Sequence, residues 1–458
     1  MELKKYKLGE ILDVTRGASL SGEYYATEGD YIRLTCGNFD YQNNCFKENT
    51  SKDNLYYIGE FRSEFLMKKG DIITPLTEQA IGLLGSTAII PESGKYIQSQ
   101  DIAKIVCKED LLDKDFAFYL ISSTIVKQQL SAAAQQTKIR HTSPDKIKDC
   151  IVWIPKLTEQ KCIGKLLRTL DSKIELNRAI NQNLEAMAKQ LYDYWFVQFD
   201  FPDENGRPYK SSGGKMVWNE KLKREIPEGW DSIPIGNYAP CKGGYAFKSS
   251  DFYKRRGVPV IKIGNIRDDY TLDMTDCQCI ENFDNSQFLA KRFDLVIAMT
   301  GATIGKFAIS QRDYWVNQRV GRFELGDTPL NRLGYLFNSL KQDYFREQIF
   351  QIASGCAQPN ISSEQIDAIL ILKPKDSILS QFNNICRSLL KQQSENLLQI
   401  EELTKQRDEL LPFLMNGQVS VNSDLSVYKE NERKYPLIFF KPNIRHSNPS
   451  TAIHNYIV

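Results

Sequence analysis

Ten polar side chains in loop-like segments of this sequence are of the types that can bind the edge of a nucleic-acid base. Arg and Lys present donors that match guanine, and Asn and Gln present a donor and an acceptor that match adenine. These candidates are Arg16, Asn38, Lys138 and Arg140 in the first half of the chain and Lys242, Lys248, Asn265, Arg267, Gln358 and Asn360 in the second. The alternative for each residue is that its side chain is solvated surface.

Motifs for catalysis are missing from the sequence. The phosphate-binding loop GxxxxGK[ST] does not occur, so ATP-driven work is not expected of this chain. The Pro-Pro-aromatic step of adenine methyltransferases does not occur either. The three histidines, His141, His446 and His454, do not form a metal-binding pattern. The sequence therefore predicts no catalytic residue and no metal site.

The composition predicts a cytoplasmic protein of two or three domains. The chain has 458 residues, 41% of them hydrophobic and 25% charged. No apolar run approaches the roughly 18 residues of a membrane span, and the N-terminal MELKKYKLGEILD has no apolar signal core. The ten cysteines are scattered, which favours reduced thiols. A net charge of +2 does not indicate a general polyanion-binding protein.

A long internal duplication runs through the sequence. LMKKGDIITPLT (66–77) and LAKRFDLVIAMT (289–300) share a dibasic step, an aspartate two residues later and a final threonine. DKIKDCIVWIPK (145–156) resembles EQIDAILILKPK (364–375). Shorter matches keep the same order: Leu8-Gly9 with Ile235-Gly236, Arg16-Gly17 with Gly243-Gly244, Gly37-Asn38 with Gly264-Asn265, Ile81-Gly82 with Ile304-Gly305, Tyr119-Leu120 with Tyr335-Leu336. Matches in constant order predict two related domains.

Each copy has the pattern of a short-stranded β core followed by helix. The β-like runs, separated by Gly, Asn and Asp, are Tyr31–Thr35, Asp71–Thr74 and Thr87–Ile90, then Val258–Ile263, Asp294–Met299 and Lys306–Ile309. Helical segments follow at 113–131 and 330–352. Each copy closes on a strand that ends at Pro155 or Pro374.

Two long helical patterns follow these prolines, at 158–198 and about 377–416. Apolar residues such as Ile163, Leu167 and Leu170 step by three and four. Because neither helix could bury its apolar stripe alone, we expect the two to pack antiparallel on each other. Seam asparagines such as Asn177 and Asn181 could fix the register of this pair or lie on a solvated face.

An aromatic cluster ends the first long helix. Its members are Tyr192, Tyr194, Trp195, Phe196, Phe199 and Phe201. These side chains could anchor a partner, because aromatic residues dominate interfaces. Packing of the helix end against the second domain is the favoured interpretation.

The predicted fold class is α+β: two related globular domains separated by a pair of long antiparallel coiled-coil helices, with pseudo-two-fold symmetry. The predicted boundaries are 1–157 for the first domain, 158–199 for the first long helix, 200–230 for a linker, 231–376 for the second domain, 377–418 for the second long helix and 419–458 for a tail of unknown role.

Two similar domains at a fixed separation suit duplex DNA, which is read as half-sites whose spacing mirrors the protein. Since the two domains differ in detail, the expected target is an asymmetric bipartite sequence. Residues 1–157 hold 20 basic and 21 acidic side chains, and residues 235–376 hold 18 and 16. Phosphate neutralisation supplies non-specific DNA affinity, so partners are expected to provide much of the grip on the backbone.

Over residues 1–418 the chain resembles the specificity subunit of type I restriction-modification enzymes. The most specific pieces are LYDYWFVQFDFP (191–202), IPEGW (226–230) and QRDELLPFLMNGQVSV (406–421). IASGCAQPNISSEQI (352–366) also resembles the loop before the last strand of a recognition domain in that family. The segment after Val421 is longer than the family's usual end.

This resemblance implies a non-catalytic subunit with two target recognition domains that bind double-stranded DNA. It implies that the long helices dock two methyltransferase subunits, and that restriction/translocase subunits join the full complex. S-adenosylmethionine, ATP and Mg²⁺ are expected in those partners, and no cofactor in this chain.

Two other functional classes stay open at this point. One is an interaction scaffold with two partner-binding domains on a coiled-coil rod, which the near-neutral domains allow. The other is a self-contained modification enzyme or nuclease, against which the missing motifs argue.

Overall fold

The computed structural model describes residues 2–41, 43–78, 82–133, 140–254, 256–353, 359–419 and 421, without the side chains of Ala133 and Arg140. The chain divides into two compact units. The first contains the described residues up to Ile174 together with those from Glu402 onward, and the second contains the described residues of Glu175–Glu401. Each unit therefore combines one globular domain with segments of both long helices.

Short strands build the described part of the first domain. A four-stranded antiparallel sheet has the order Ala88–Ile89, Ile72–Pro75, Ile102–Cys107, Leu12–Arg16. A second sheet has the order Tyr96–Ile97, Ile32–Arg33, Tyr56–Tyr57, Tyr25–Ala26, with its first pair parallel. Further antiparallel pairs are Lys4–Lys7 with Ile151–Ile154, Phe39–Asp40 with Cys45–Phe46 and Thr77–Glu78 with Arg140–His141.

The second domain repeats this topology. Its four-stranded sheet has the order Phe307–Ile309, Leu295–Ala298, Val320–Phe323, Cys241–Gly243. Its second sheet has the order Leu289–Ala290, Tyr314–Val316, Val258–Ile261, Gln278–Ile280, Tyr253–Lys254. Asp231–Pro234 pairs with Leu370–Lys373, as Lys4–Lys7 pairs with Ile151–Ile154. The duplication predicted from the sequence is thus a duplication of strand order.

Short helices accompany the strands of both domains. The α-helices of the first domain are Leu8–Ile11, Lys114–Ile121, Thr124–Ala133 and Pro144–Lys148, and those of the second are Ile235–Tyr238, Leu330–Leu340, Asp343–Ala353 and Ser363–Asp367. The 3₁₀ turns are Gly22–Tyr24, Cys36–Asn38, Ser63–Phe65, Ser249–Asp251, Ile263–Asn265, Ser286–Phe288 and Gly301–Thr303. The helical segments predicted at 113–131 and 330–352 are each two consecutive helices.

The two long helices are Leu157–Tyr192 and Asp376–Met415, close to the predicted bounds. The first continues as a π-helical turn at Asp193–Val197. Within the second unit, Asn181 Oδ1 accepts a hydrogen bond from Asn396 Nδ2 (2.8 Å) and Asn177 Nδ2 donates to Gln399 Oε1 (3.1 Å). Because the residue numbers of these pairs run in opposite directions, the two helices are antiparallel, and the seam asparagines form hydrogen bonds across the pair.

The core of each unit explains why helix and domain fold together. In the first unit, Ile163 and Leu167 of the long helix are fully buried against domain residues such as Phe116 and Leu120. Burial of each such side chain contributes about 1.5–3 kcal/mol. The predicted α+β class, with two related domains and two long antiparallel helices, is confirmed.

The aromatic cluster packs the end of the first long helix into the core of the second unit. Phe196 lies 4.9 Å from Phe382 between ring centroids, and Phe201 stacks on Trp230 at 4.7 Å. Of the six aromatic residues, Tyr194 is exposed and the other five are buried. The packing interpretation is therefore confirmed for those five.

Residues 200–230 are more structured than the composition predicted. Met216–Asn219 and Arg224–Pro227 form a β-hairpin, and Phe201 and Trp230 are buried in the second unit's core. The Pro- and Gly-rich sequence hides this because its few apolar residues have no periodicity. Of the predicted tail 419–458, Val419 and Val421 are described and pack against the first unit's core; residues 422–458 lie outside the described residues.

Candidate nucleic-acid interface

One strand in each domain is followed by a glycine that lets two loops approach closely. Gly17 follows the strand Leu12–Arg16, and Gly244 follows Cys241–Gly243. A Cβ atom on either glycine would lie 2.5 Å from a backbone carbonyl carbon, that of Gln98 or Val316. The next residues then form equivalent parallel bridges, Ala18 with Ser99 and Tyr245 with Asn317. The Arg16-Gly17 and Gly243-Gly244 matches are explained by this close approach.

A second pair of loops meets beside the first in both domains. His141 pairs with Thr77 in the first domain, and Asn360 bridges to Thr300 in the second. The following backbone bonds are equivalent too, from Thr142 N to the Leu76 carbonyl (2.8 Å) and from Ile361 N to the Met299 carbonyl (2.9 Å).

An asparagine turn that both domains share lies next to these loops. Asn38 Oδ1 accepts from Thr35 N (2.9 Å), and Asn265 Oδ1 accepts from Lys262 N (2.8 Å). Their Nδ2 groups donate to the carbonyls of Lys47 (3.3 Å) and Asp273 (2.8 Å). In the first domain the turn contacts the second pair of loops, because Cys36 Sγ lies 3.4 Å from the Thr77 carbonyl oxygen. Burial raises the pKa of the Cys36 thiol to about 11, so this contact is made by a neutral group.

The twelve-residue repeat forms a turn that its own aspartate stabilises in each domain. The carboxylates of Asp71 and Asp294 accept from the backbone N–H of Lys68 (3.0 Å) and Lys291 (2.9 Å). Each also forms an ion pair with the strand beside it, Asp71 with Lys104 (2.7 Å) and Asp294 with Arg322 (3.2 Å). Burial raises the pKa of the Asp294 carboxyl despite that arginine. The repeat thus encodes a turn and the aspartate that binds this turn to the neighbouring strand.

The ten predicted residues have different positions in the structure. Four of them are exposed: Arg16, Lys242, Lys248 and Asn360. Arg140 lies in a strand, and its side chain is not described. Lys138 and Gln358 lie outside the described residues. Arg16, Arg140 and Asn360 are in or next to the paired loops. Lys242 and Lys248 lie on either side of Gly243-Gly244 in the sequence, where two loops approach each other closely.

Three of the ten are held by their own loops. Asn38 is 1% exposed, and its amide is occupied by the turn described above. Asn265 is half-buried and bonded in the same way, and Arg267 forms an ion pair with Asp273. Residue type placed Asn38 and Asn265 among the candidates, but it could not distinguish a turn-forming amide from a free one. In this structure the side chains of Asn38 and Asn265 stabilise their own loops.

The sequence reasoning missed three exposed residues at the paired loops. These residues are His141, Gln318 and Arg319. The first domain has Asp101 where the second has Arg319, because the Leu76 N–H donates to the Asp101 carbonyl and the Met299 N–H to that of Arg319. Aligning the two copies through these loops would have identified them. The second domain is the more basic of the two at this point.

Among the described residues no helix is long and apolar enough to cross a membrane, and no group of three His, Cys, Asp or Glu side chains could hold a metal ion. None of the nine cysteines that the structure describes forms a disulfide.

Comparison with known proteins identifies the family. Residues 1–186 and 227–399 match the model of the type I restriction modification DNA specificity domain. The type I restriction enzyme MjaIX specificity subunit of Methanocaldococcus jannaschii is 21% identical over 70% of this chain and 73% of its own length. The HindI specificity subunit of Haemophilus influenzae is 23% identical over 77% and 87%.

The fold agrees with that match. The type I restriction-modification S subunit from M. genitalium has a TM-score of 0.59 at 16% identity and covers 91% of this chain and 96% of its own. The family model covers well over half of the sequence, in two segments that contain the two related domains. The chain therefore belongs to the family of type I restriction-modification DNA specificity subunits.

Proposed function

We propose that this chain reads an asymmetric bipartite site in double-stranded DNA, with one recognition domain for each half-site. As a specificity subunit it is a DNA-recognition component of a restriction-modification complex and not its catalyst. The observation that carries the proposal is the repeated loop construction, which presents His141 and Asp101 in one domain and Asn360 and Arg319 in the other. Equal scaffolds with unequal side chains suit two half-sites of unequal sequence.

The long helices are proposed as the docking surface for two methyltransferase subunits. Leu176, Met187 and Ile385 lie on these helices and are 60%, 54% and 44% exposed. A protein partner would remove these apolar side chains from water, which favours association. Restriction/translocase subunits complete the proposed assembly, which then supplies S-adenosylmethionine, ATP and Mg²⁺ chemistry from outside this chain. The near-neutral recognition domains also fit an assembly in which partners neutralise phosphates.

A cytoplasmic location is part of the same proposal. The described cysteines form no disulfide, as expected in a reducing compartment.

Domain replacement tests this function. Residues 231–376 are exchanged for the second domain of a relative such as the HindI specificity subunit, and the chain is reconstituted with its methyltransferase partners. Sequencing of methylated sites in a random duplex library should show one half-site changed and the other unchanged. The reciprocal exchange of residues 1–157 should change the other half.

Two outcomes would contradict the proposal. A change in both half-sites from one exchange would show that the domains do not read independently. Stable association with the partners without any protected or methylated DNA sequence would favour the scaffold instead.

A further inference from the structure

His141 occupies the position in the first domain that Asn360 occupies in the second. Each residue pairs with the threonine that ends the twelve-residue repeat, Thr77 or Thr300. The equivalent backbone bonds on the next residue fix the register, so the correspondence does not depend on sequence similarity. Both side chains are exposed beside the close approach at Gly17 or Gly244.

The hydrogen bonds around Thr77 fix which ring nitrogen of neutral His141 carries the proton. Thr77 Oγ1 donates to the carboxylate Oδ1 of Asp101 (3.2 Å), because a carboxylate accepts. The hydroxyl oxygen then has a lone pair for His141 Nδ1 at 3.4 Å, and this nitrogen must be the donor. A neutral imidazole with its proton on Nδ1 has an acceptor at Nε2.

We propose that His141 is a specificity-determining residue of the first domain, and that its Nε2 accepts a hydrogen bond from the exocyclic amino group of adenine or cytosine in the major groove. This inference rests on the proposed function, since it assumes that the paired loops face DNA. Amino groups at adenine N6 and cytosine N4 are the donors that the major groove offers. Asn360 has both a donor and an acceptor, and so suits the two-point edge of adenine.

The surroundings of His141 favour a ligand contact over a structural role. A structural histidine is usually buried with both nitrogens bonded, whereas His141 is exposed and its ring bonds to the Thr77 hydroxyl through Nδ1. Asp101 repels phosphate and guanine acceptors nearby, which leaves a donor group on the base as the matching partner. Arg319 at the equivalent position of the second domain has the opposite preference.

The test uses the full chain reconstituted with its methyltransferase partners and a random duplex library selected for binding. His141→Ala should reduce discrimination at one base pair of one half-site by about tenfold, the value of roughly one lost base contact. The other half-site should keep its preference. Asn360→Ala is the matched control and should relax one position in the opposite half. His141→Gln, which restores an acceptor, should recover part of the discrimination.

The outcomes separate this inference from the proposed function. Wild-type enrichment of a bipartite site with an unchanged preference in His141→Ala overturns the role of His141 and leaves the function standing. The role of His141 is also overturned if His141→Ala and Asn360→Ala both weaken base preference within the same half-site. If the wild-type complex enriches no sequence at all, both proposals fail. Each variant should unfold at the same temperature as the wild type, so that a lost base preference is not caused by a loss of folding.

Discussion

Arg407 of the second long helix is ion-paired with Asp171 of the first, with 3.0 Å between Nη1 and Oδ1. The two side chains are 9% and 11% exposed. Tyr119 of the first domain donates to the other carboxylate oxygen of Asp171 at 2.5 Å. Domain, first helix and second helix thus meet in one buried polar network.

The second unit has apolar side chains at the corresponding helix positions. When the match of 145–156 with 364–375 is continued along the helices, Leu390 corresponds to Asp171 and Ala188 to Arg407. Both are buried. A buried ion pair at one position and two buried apolar side chains at its counterpart distinguish the two helices from each other, which favours one way of pairing.

Removal of one member of this network should destabilise the protein strongly. Arg407→Met leaves the buried Asp171 carboxylate without its cation, which costs about 3–5 kcal/mol. Asp171→Leu combined with Arg407→Met and Tyr119→Phe removes both buried charges and the hydroxyl that donates to Asp171, and leaves only the exposed Asp408 carboxylate, so it should lose far less. The free energy of unfolding from urea titration measures both effects. As a control, Lys215→Ala breaks the exposed pair with Glu228 and should cost under about 1 kcal/mol. Equal losses for the single and triple variants would contradict this account.

Asn38→Ala and Asn265→Ala should lower stability and leave base preference intact. Each removal leaves the backbone N–H of Thr35 or Lys262 without its acceptor, at a cost of about 1–3 kcal/mol. Asn360→Ala, at an exposed position, should show the opposite behaviour. Unfolding free energies and base preferences from library selection, measured on the same three variants, distinguish a structural role from a base contact. Altered base preference in Asn38→Ala with normal stability would instead make that residue a DNA contact.

Gly17→Ala and Gly244→Ala should both be poorly tolerated. The added Cβ would overlap the backbone at Gln98 or Val316, and overpacking of this kind costs roughly 1–3 kcal/mol or more. Gly264→Ala is the matched control, since a Cβ atom added there would have no described atom beyond its chain neighbours within 4 Å. Thermal unfolding of the three proteins should place the control near the wild type and the other two well below it.

The sequence predicted the architecture well because duplication and helical periodicity are long-range signals. The matching segments in constant order predicted the two domains, and apolar residues at helical spacing, such as Ile163 and Leu167, predicted the long helices. The hairpin at Met216–Asn219 and Arg224–Pro227 was missed, because its stability comes from burial of Ile226 and Trp230 in the second unit rather than from local pattern.

The candidate site was predicted less well for a different reason. Residue type alone does not show whether an amide is free, and Asn38 is occupied by its own turn. The sequence does not place His141 beside Thr77, because the two residues are 64 positions apart in the chain. Such relationships exist after folding and have no local signature.

Lys341 should make stability rise with pH in the second unit. Its side chain is 5% exposed, lies between the rings of Tyr270 and Phe337, and is paired with Glu185 at 2.7 Å. Burial lowers the pKa of Lys341, and Glu185 offsets part of that effect. In the unfolded chain the lysine keeps its ordinary pKa of 10.5. Between the lowered value and 10.5 the unfolded state therefore binds more protons, so the free energy of unfolding increases as pH rises through this window.

Lys341→Met should remove this increase, and the difference from wild type isolates it from other groups that titrate at high pH. Glu185→Gln removes the partner that holds the pKa of Lys341 up, so it should widen the window and steepen the increase. Urea unfolding of the three proteins at a series of pH values approaching 10.5 measures the slopes. If Lys341→Met keeps the wild-type slope, the buried ammonium does not control stability in this range. A flatter slope in Glu185→Gln would show instead that this carboxylate does not raise the pKa of Lys341 in the folded protein.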